Sequence, residues 1–145
     1  MGVKLHGGVG IGAVPKTPSI PNGRSTNELL VKIPATTLLH YGHQLGYPVA
    51  YAQEQDGQLI QNIVPVFKTE FQQISTSSKT ELEMHTETAF HPHMPRWVLL
   101  LCVRGDSNAE TTYAIKDEIL EKLDNNVISV LKTDSFVTSI DDSFR

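Results

Sequence analysis

The chain has a single cysteine, Cys102, among its 145 residues, so an intrachain disulfide cannot form and a reducing compartment is the default. No stretch approaches the roughly 18 apolar residues that a membrane-spanning helix needs. The N-terminus lacks the basic start and apolar core of a signal peptide, and it lacks the hydroxyl residue that a myristoylation signal has at position 6. We therefore expect a cytoplasmic protein with no membrane partner, and we expect Cys102 to be a buried structural thiol.

Clusters of lysine and arginine are also missing. The 12 basic side chains are outnumbered by 16 acidic ones. Binding to phosphate groups needs clustered cations, so the charge pattern predicts no nucleic-acid partner. The hydrophobic share of 39% is typical of a soluble globular protein and not of a disordered chain. The length suits a single domain over residues 1–145.

The N-terminal segment, residues 1–24, is rich in glycine and proline and is predicted to be a loop. The spacing of Gly8 and Gly10 loosely matches a dinucleotide-binding fingerprint, but that fingerprint requires a helix directly afterwards. Pro15 and Pro18 follow instead, and each proline disfavours helical geometry in the residue before it. A nucleotide site is therefore not expected here.

Two short helices are predicted after this loop. Ser25 and Glu28 have the spacing of a capping box, which would start a helix that runs through Ile33. Pro34 is expected to break that helix or to open the next one. The second helix is expected to close at Gly46.

The centre of the chain has the alternation typical of strands. Residues 47–65 are predicted to form a hairpin, residues 80–90 alternate, and the apolar run 97–103 is typical of a strand covered on both faces. The period becomes helical over residues 111–124, and a second short helix is expected through Leu131. This order of elements predicts an α+β fold with mainly antiparallel pairing.

Three histidines and one glutamate crowd into nine residues of this central part, at positions His85, Glu87, His91 and His93. Residues two apart on a strand project from the same face, so His85 and Glu87 are expected to point together. An imidazole and a carboxylate are two corners of the facial triad that binds Fe(II) in non-haem oxygenases. The same alternation also suits a solvated strand face. His91 and His93, beside a proline, could lie in solvent, donate hydrogen bonds to the ligands or act as a local third ligand.

The stretch STSSKTELEMHTETAFHPHMPRWVLLLCVRGD, residues 75–106, resembles the segment around the iron site in the clavaminate synthase-like family. It is most similar to the asparagine oxygenase type of Fe(II)/2-oxoglutarate-dependent hydroxylases. Upstream, GYPVAYAQEQDGQLIQNIVP resembles the family's hairpin before that site. The resemblance runs from about Gly10 to Phe144. It implies a partial double-stranded β-helix, or jelly roll, with flanking helices.

The resemblance also implies site residues and an activity. His85 and Glu87 match the first two iron ligands, with 2-oxoglutarate as cosubstrate and a free amino acid or a derivative as the substrate to be hydroxylated. Four polar positions match residues that hold the substrate amino acid: Gln55, Ser75, Thr76 and Ser77. The alternative for Gln55 is a solvated hairpin turn, and for the three hydroxyl residues it is a capping or turn role.

Two parts of the family's site have no counterpart in the chain. The third ligand of the family is a histidine well over a hundred residues after the first two, and an arginine beyond it pairs with 2-oxoglutarate. No histidine follows His93, and the last residue is the only arginine after Arg104. We therefore expect a central fragment of a longer jelly-roll oxygenase, inactive alone and self-associating through exposed sheet edges. The alternatives are an inactive jelly-roll fragment or binding module, and a local metal site completed by His91 or His93.

Overall fold

The computed structural model describes residues 3–14, 16–17, 28–54, 57–140 and 144. Four helical elements occur in these residues: α1 (Glu28–Leu45), a 3₁₀ turn (Phe67–Thr69), α2 (Lys116–Leu120) and α3 (Asn125–Leu131). The described ranges contain no paired strand. The jelly roll therefore stays a prediction. Of the helices in this part of the chain, not one has the length and apolar character that a membrane crossing requires.

Helix α1 runs without interruption through Pro34, so the prediction of two separate helices was wrong. Proline has no N–H to donate, but its fixed φ is compatible with helical geometry. The 18-residue helix therefore continues at the cost of one backbone hydrogen bond. Pro34 is buried, which offsets part of that cost. The predicted end is confirmed, because Leu45 is the last helical residue and the N–H of Gly46 donates to the carbonyl of Gly42 at 3.1 Å.

The described part of the N-terminal segment contains no helix or strand and lies against α1. The Thr37 hydroxyl donates to the Gly10 carbonyl at 3.3 Å, and the rings of His6 and Tyr41 are 5.1 Å apart. A cavity of about 460 Å³ lies between the N-terminal segment and α1. Its lining does not include His85 or Glu87.

The C-terminal helices are shorter than the periodicity predicts. Helix α2 covers only Lys116–Leu120, because Ile115 is still extended and no side chain caps the helix. The threonines and the tyrosine before Ile115 have low helix propensity, which accounts for the late start. Asp124 is also extended, so it separates α2 from α3. Helix α3 ends at Leu131, as predicted.

Outside residues 28–31, Pro34 is the only described residue with a buried apolar side chain. In the apolar run 97–103, Leu99, Leu101 and Val103 are half-buried, whereas Val98, Leu100 and Cys102 are exposed. This alternation covers the run on one face only. The prediction that Cys102 is buried was therefore wrong, because its side chain lies on the uncovered face.

Candidate metal centre

His85 and Glu87 lie at the end of an irregular segment that leads into a turn at residues 87–90. The structure brings their side chains together, with 3.9 Å between His85 Nε2 and Glu87 Oε2. Both side chains are about half exposed, at 53% and 52%. The predicted pairing of an imidazole with a carboxylate is therefore present, at a position that a small ligand or an ion can reach.

The orientation of the His85 ring is set by a backbone carbonyl. Nδ1 of His85 is 2.7 Å from the carbonyl oxygen of Glu83. A carbonyl can only accept, so Nδ1 carries the proton and donates it. In the neutral ring this leaves the lone pair on Nε2, the nitrogen that faces Glu87. Metal-binding histidines have this same arrangement, because a hydrogen bond from the other nitrogen fixes the tautomer.

The pair fits part of a ferrous site. Two donor atoms that bind one metal ion at a right angle, each at about 2.1 Å, lie about 3 Å apart. The observed 3.9 Å needs only a rotation of the exposed Glu87 side chain. An imidazole nitrogen with a carboxylate oxygen is a donor set suited to Fe(II). No third His, Cys, Asp or Glu joins the pair within the ranges that the structure describes.

The turn after Glu87 is strained. Thr88 has φ 46°, in the left-handed region that β-branched residues rarely enter. Its side chain is buried, with 8% exposure, and its hydroxyl oxygen has no hydrogen-bond partner. The N–H of His91 donates to the Thr88 carbonyl at 2.9 Å and closes the turn. Conformations of this kind cost about 1–3 kcal/mol and concentrate at functional sites.

Beyond this turn, His91 and His93 join an aromatic cluster that we define as Tyr51, Phe90, His91, His93 and Phe144. The ring of His91 lies 4.6 Å from that of Tyr51, and the rings of Phe90 and Phe144 are 5.0 Å apart. The Tyr51 hydroxyl donates to the carbonyl of His93 at 2.6 Å. The cluster therefore connects the segment before residue 55 with the turn that follows the H-x-E pair.

Neither histidine of the cluster joins the pair. Nδ1 of His91 accepts the N–H of His93 at 3.0 Å, so Nε2 carries the proton in the neutral ring. Neither ring hydrogen-bonds to His85 or Glu87 in the part of the chain that the structure covers. A local site completed by His91 or His93 therefore finds no support in this arrangement.

The hydroxyl residues predicted to contact substrate lie in the loop 66–80. Thr76 Oγ1 pairs with Thr69 Oγ1 at 2.8 Å. Ser77 Oγ donates to the Glu70 carbonyl at 2.8 Å and accepts the N–H of Thr80 at 3.3 Å. Ser75 is exposed. Thr76 and Ser77 thus bond within the loop, which agrees with the alternative that these hydroxyls stabilise a turn. Gln55, the fourth predicted position, lies outside the described residues.

Sequence reasoning missed three residues that shape the surroundings of the pair: Tyr51, Gln73 and Phe144. The Gln73 amide bonds to the backbone of Glu81 at 2.9 Å and of Glu83 at 3.0 Å. A glutamine in a polar loop carries no signal for such a contact, because the loop folds back onto residues eight and ten positions further along the chain, and no sequence period specifies where a loop folds back. Aromatic side chains near a histidine-rich turn are a signal that could have identified Tyr51.

Comparison with known proteins finds enzymes that act on amino acids. The chain is 32% identical over 139 residues to the L-lysine 3-hydroxylase of Catenulispora acidiphila, which covers 92% of this chain and 38% of that protein. It is 35% identical over 135 residues to the L-asparagine oxygenase of Streptomyces coelicolor, covering 91% of this chain and 39% of that protein. Clavaminate synthase 2 of Streptomyces clavuligerus is 30% identical over 106 residues, or 72% of this chain and 32% of that protein.

The chain thus spans about two fifths of the length of the first two of these relatives. No family model matches it. No solved structure gives a significant match.

Proposed function

Because this chain belongs to the clavaminate synthase-like and asparagine oxygenase-like oxygenase family, we propose that it carries part of the iron site of an Fe(II)/2-oxoglutarate-dependent amino-acid hydroxylase. The observation that carries the proposal is the H-x-E pair, in which the lone pair of His85 Nε2 faces Glu87. The names of the relatives, which are hydroxylases of lysine and an oxygenase of asparagine, support a free amino acid or a derivative as substrate.

Each residue of the pair has a defined part in this proposal. His85 binds the metal through Nε2 while Nδ1 stays bonded to the Glu83 carbonyl, which favours the ring orientation that faces the site. Glu87 supplies an anionic oxygen that compensates part of the metal's charge. Bound iron would supply the oxygen activation that hydroxylation of an unreactive C–H bond requires, with 2-oxoglutarate as the source of electrons.

The remaining predicted residues and the fold belong to the same proposal. We retain Gln55, Ser75, Thr76 and Ser77 as candidate contacts of the amino-acid substrate. The hydroxyls of Thr76 and Ser77 can accept a further hydrogen bond from a substrate, but they can donate one only by exchanging a loop bond. A partial double-stranded β-helix is the fold that the family relationship supports.

The chain alone should bind metal weakly and show no turnover, because the described residues bring only two ligands together. A non-catalytic binding module would share this weak binding, so the chain alone does not distinguish the two functions. A chimera does, in which residues 1–145 replace the matching segment of the L-asparagine oxygenase. The readout is succinate released from 2-oxoglutarate in the presence of Fe(II) and a panel of amino acids.

The chimera should release succinate with at least one amino acid, and His85→Ala and Glu87→Ala should each reduce the rate to background. Matched controls are His43→Ala, a histidine exposed on α1, and Glu83→Ala, which removes a carboxylate but keeps the backbone carbonyl that holds His85. Both should stay within about twofold, a change of less than about 0.5 kcal/mol in the activation barrier. A folded chimera that binds 2-oxoglutarate but releases no succinate with any amino acid would refute the enzymatic proposal.

A further inference from the structure

The side-chain amide of Gln73 makes two hydrogen bonds with the segment that leads to the metal ligands. Nε2 donates to the carbonyl of Glu81 at 2.9 Å, and Oε1 accepts the N–H of Glu83 at 3.0 Å. A peptide group of a neighbouring strand would offer the same donor and acceptor. The amide thus bonds to residues 81 and 83 as one residue of a pairing strand would.

These bonds continue directly to His85. The residue that gives its N–H to Gln73 is Glu83, and the carbonyl of Glu83 accepts the proton of His85 Nδ1 at 2.7 Å. Residue 83 is therefore held on one side by the glutamine while its carbonyl orients the imidazole. All of these groups lie on the exposed surface, where water competes for each backbone partner. Without the amide, the Glu83 carbonyl would be free to turn away from the ring.

Gln73 itself extends from a loop with several internal bonds. The backbone N–H of Lys79 donates to the Glu70 carbonyl at 2.8 Å, and its Nζ is 3.0 Å from Glu70 Oε2. The Glu70 side chain is only 13% exposed. Thr69 and Thr76 are joined through their hydroxyls at 2.8 Å on the same loop. The loop 66–80 can therefore serve as a fixed base for the amide.

We propose that Gln73 is a positioning residue: through Glu83 it keeps His85 in the tautomer whose Nε2 lone pair faces Glu87. Only the identity of the bound ion rests on the proposed function, because the tautomer is a property of the metal-free chain. A structural role in the loop alone would leave the tautomer unchanged. The tautomer is therefore the readout that separates the two roles.

The test uses long-range ¹H–¹⁵N NMR spectra of the 145-residue chain under mildly alkaline conditions, in which imidazoles are neutral. The His85 signals are assigned by their loss in His85→Asn. The wild-type ring should be protonated at Nδ1, and Gln73→Ala should move it towards the Nε2-protonated form. Gln73→Glu keeps the acceptor for the Glu83 N–H but loses the donor to Glu81. Its fraction of Nδ1-protonated His85 should therefore lie between those of the wild type and Gln73→Ala. Gln72→Ala is the matched control and should equal wild type, because the Gln72 side-chain amide makes no hydrogen bond within the described residues and the substitution keeps the bond from the backbone N–H to the Thr69 carbonyl.

A titration with Zn(II), a diamagnetic probe, gives the second readout. Loss of a group that orients a metal-binding histidine lowers affinity by about 10–100-fold, so Gln73→Ala should weaken binding at His85 by about tenfold. An unchanged tautomer in Gln73→Ala overturns the inference, even if Zn(II) still binds. A tautomer that depends on Gln73 in a chain whose His85 binds no Zn(II) supports the positioning role and removes support from the proposed metal site instead.

Discussion

At the scale of single residues, the H-x-E pair could be predicted from sequence and its supports could not. A spacing of two places side chains on one face of any extended segment, so His85 and Glu87 meet although the described residues there form no paired strand. The bond from His85 to the Glu83 carbonyl depends on a ring rotamer, and the Gln73 bonds depend on where a loop folds back. Neither depends on a pattern that the sequence displays.

Thr88 is expected to destabilise the turn for two separate reasons. The backbone is at φ 46° and the buried hydroxyl lacks a partner. Thr88→Gly removes the strain of about 1–3 kcal/mol but adds about 0.5–1 kcal/mol of chain entropy, so a net gain of about 1 kcal/mol is expected. Thr88→Val keeps the shape and the strain and removes only the hydroxyl, which should also gain about 1 kcal/mol.

The measurement is hydrogen exchange of the His91 amide, which donates to the Thr88 carbonyl across the turn. A gain of 1 kcal/mol corresponds to about fivefold greater protection. The internal reference is the amide of Ile128 in α3, which donates to the carbonyl of Asp124 just before the helix. Its exchange rate should not change. Equal exchange in wild type and Thr88→Val would show that the hydroxyl is satisfied in solution. Faster exchange in Thr88→Gly would show that the turn is not strained.

At the scale of elements, the end of α1 was easier to predict than its course through Pro34, and the ends of α2 were not predicted. Gly46 is a strong local signal, and α1 ends directly before it; α3 also ends at Leu131, as predicted. Pro34 is predicted to break the helix or to open the next one, but a long helix tolerates one missing hydrogen bond when the proline ring is buried. Whether a proline breaks or merely weakens a helix is decided by packing, which propensity does not report.

Replacement of this proline tests that balance. Pro34→Ala restores the missing N–H and removes a penalty of about 3 kcal/mol, but it loses the contacts of a buried ring, so a net stabilisation of α1 by about 1–2 kcal/mol is expected. Amide exchange between residues 35 and 45 should slow, and helical circular dichroism should rise. Ala35→Gly, the adjacent control, should destabilise α1 by about 1 kcal/mol. A less protected α1 in Pro34→Ala would mean that the ring's packing outweighs the hydrogen bond.

At the scale of the whole molecule, Pro34 is the only residue with a buried apolar side chain among the described residues outside 28–31, while Tyr47 and Val137 are exposed to 95% and 96%. Exposed apolar surface of this extent is rare in soluble monomers and is typical of surfaces that meet another chain or another part of the same protein. The family relationship supports the second possibility, because the relatives continue well beyond the matched segment. The absence of the third iron ligand and of the 2-oxoglutarate arginine predicts exposed apolar surface. The sequence could not show which residues are exposed, because strand pairing is a long-range property.

The apolar run 97–103 is where this exposure can be tested, because its two faces differ. Val98 and Leu100 are exposed to 55% and 68%, whereas Leu99 is half-buried. The 145-residue chain alone should therefore associate at micromolar concentrations in sedimentation velocity experiments. Val98→Lys together with Leu100→Lys should weaken this association at least tenfold, about 1.4 kcal/mol, because each charge would have to be desolvated at the contact.

The control for this experiment is Lys4→Ala together with Lys132→Ala, which changes two exposed charges outside the run and should leave the association as it is. A chain that remains monomeric at all accessible concentrations would contradict the prediction. It would mean that the chain buries its apolar run internally in solution, through contacts between segments that the described residues do not make.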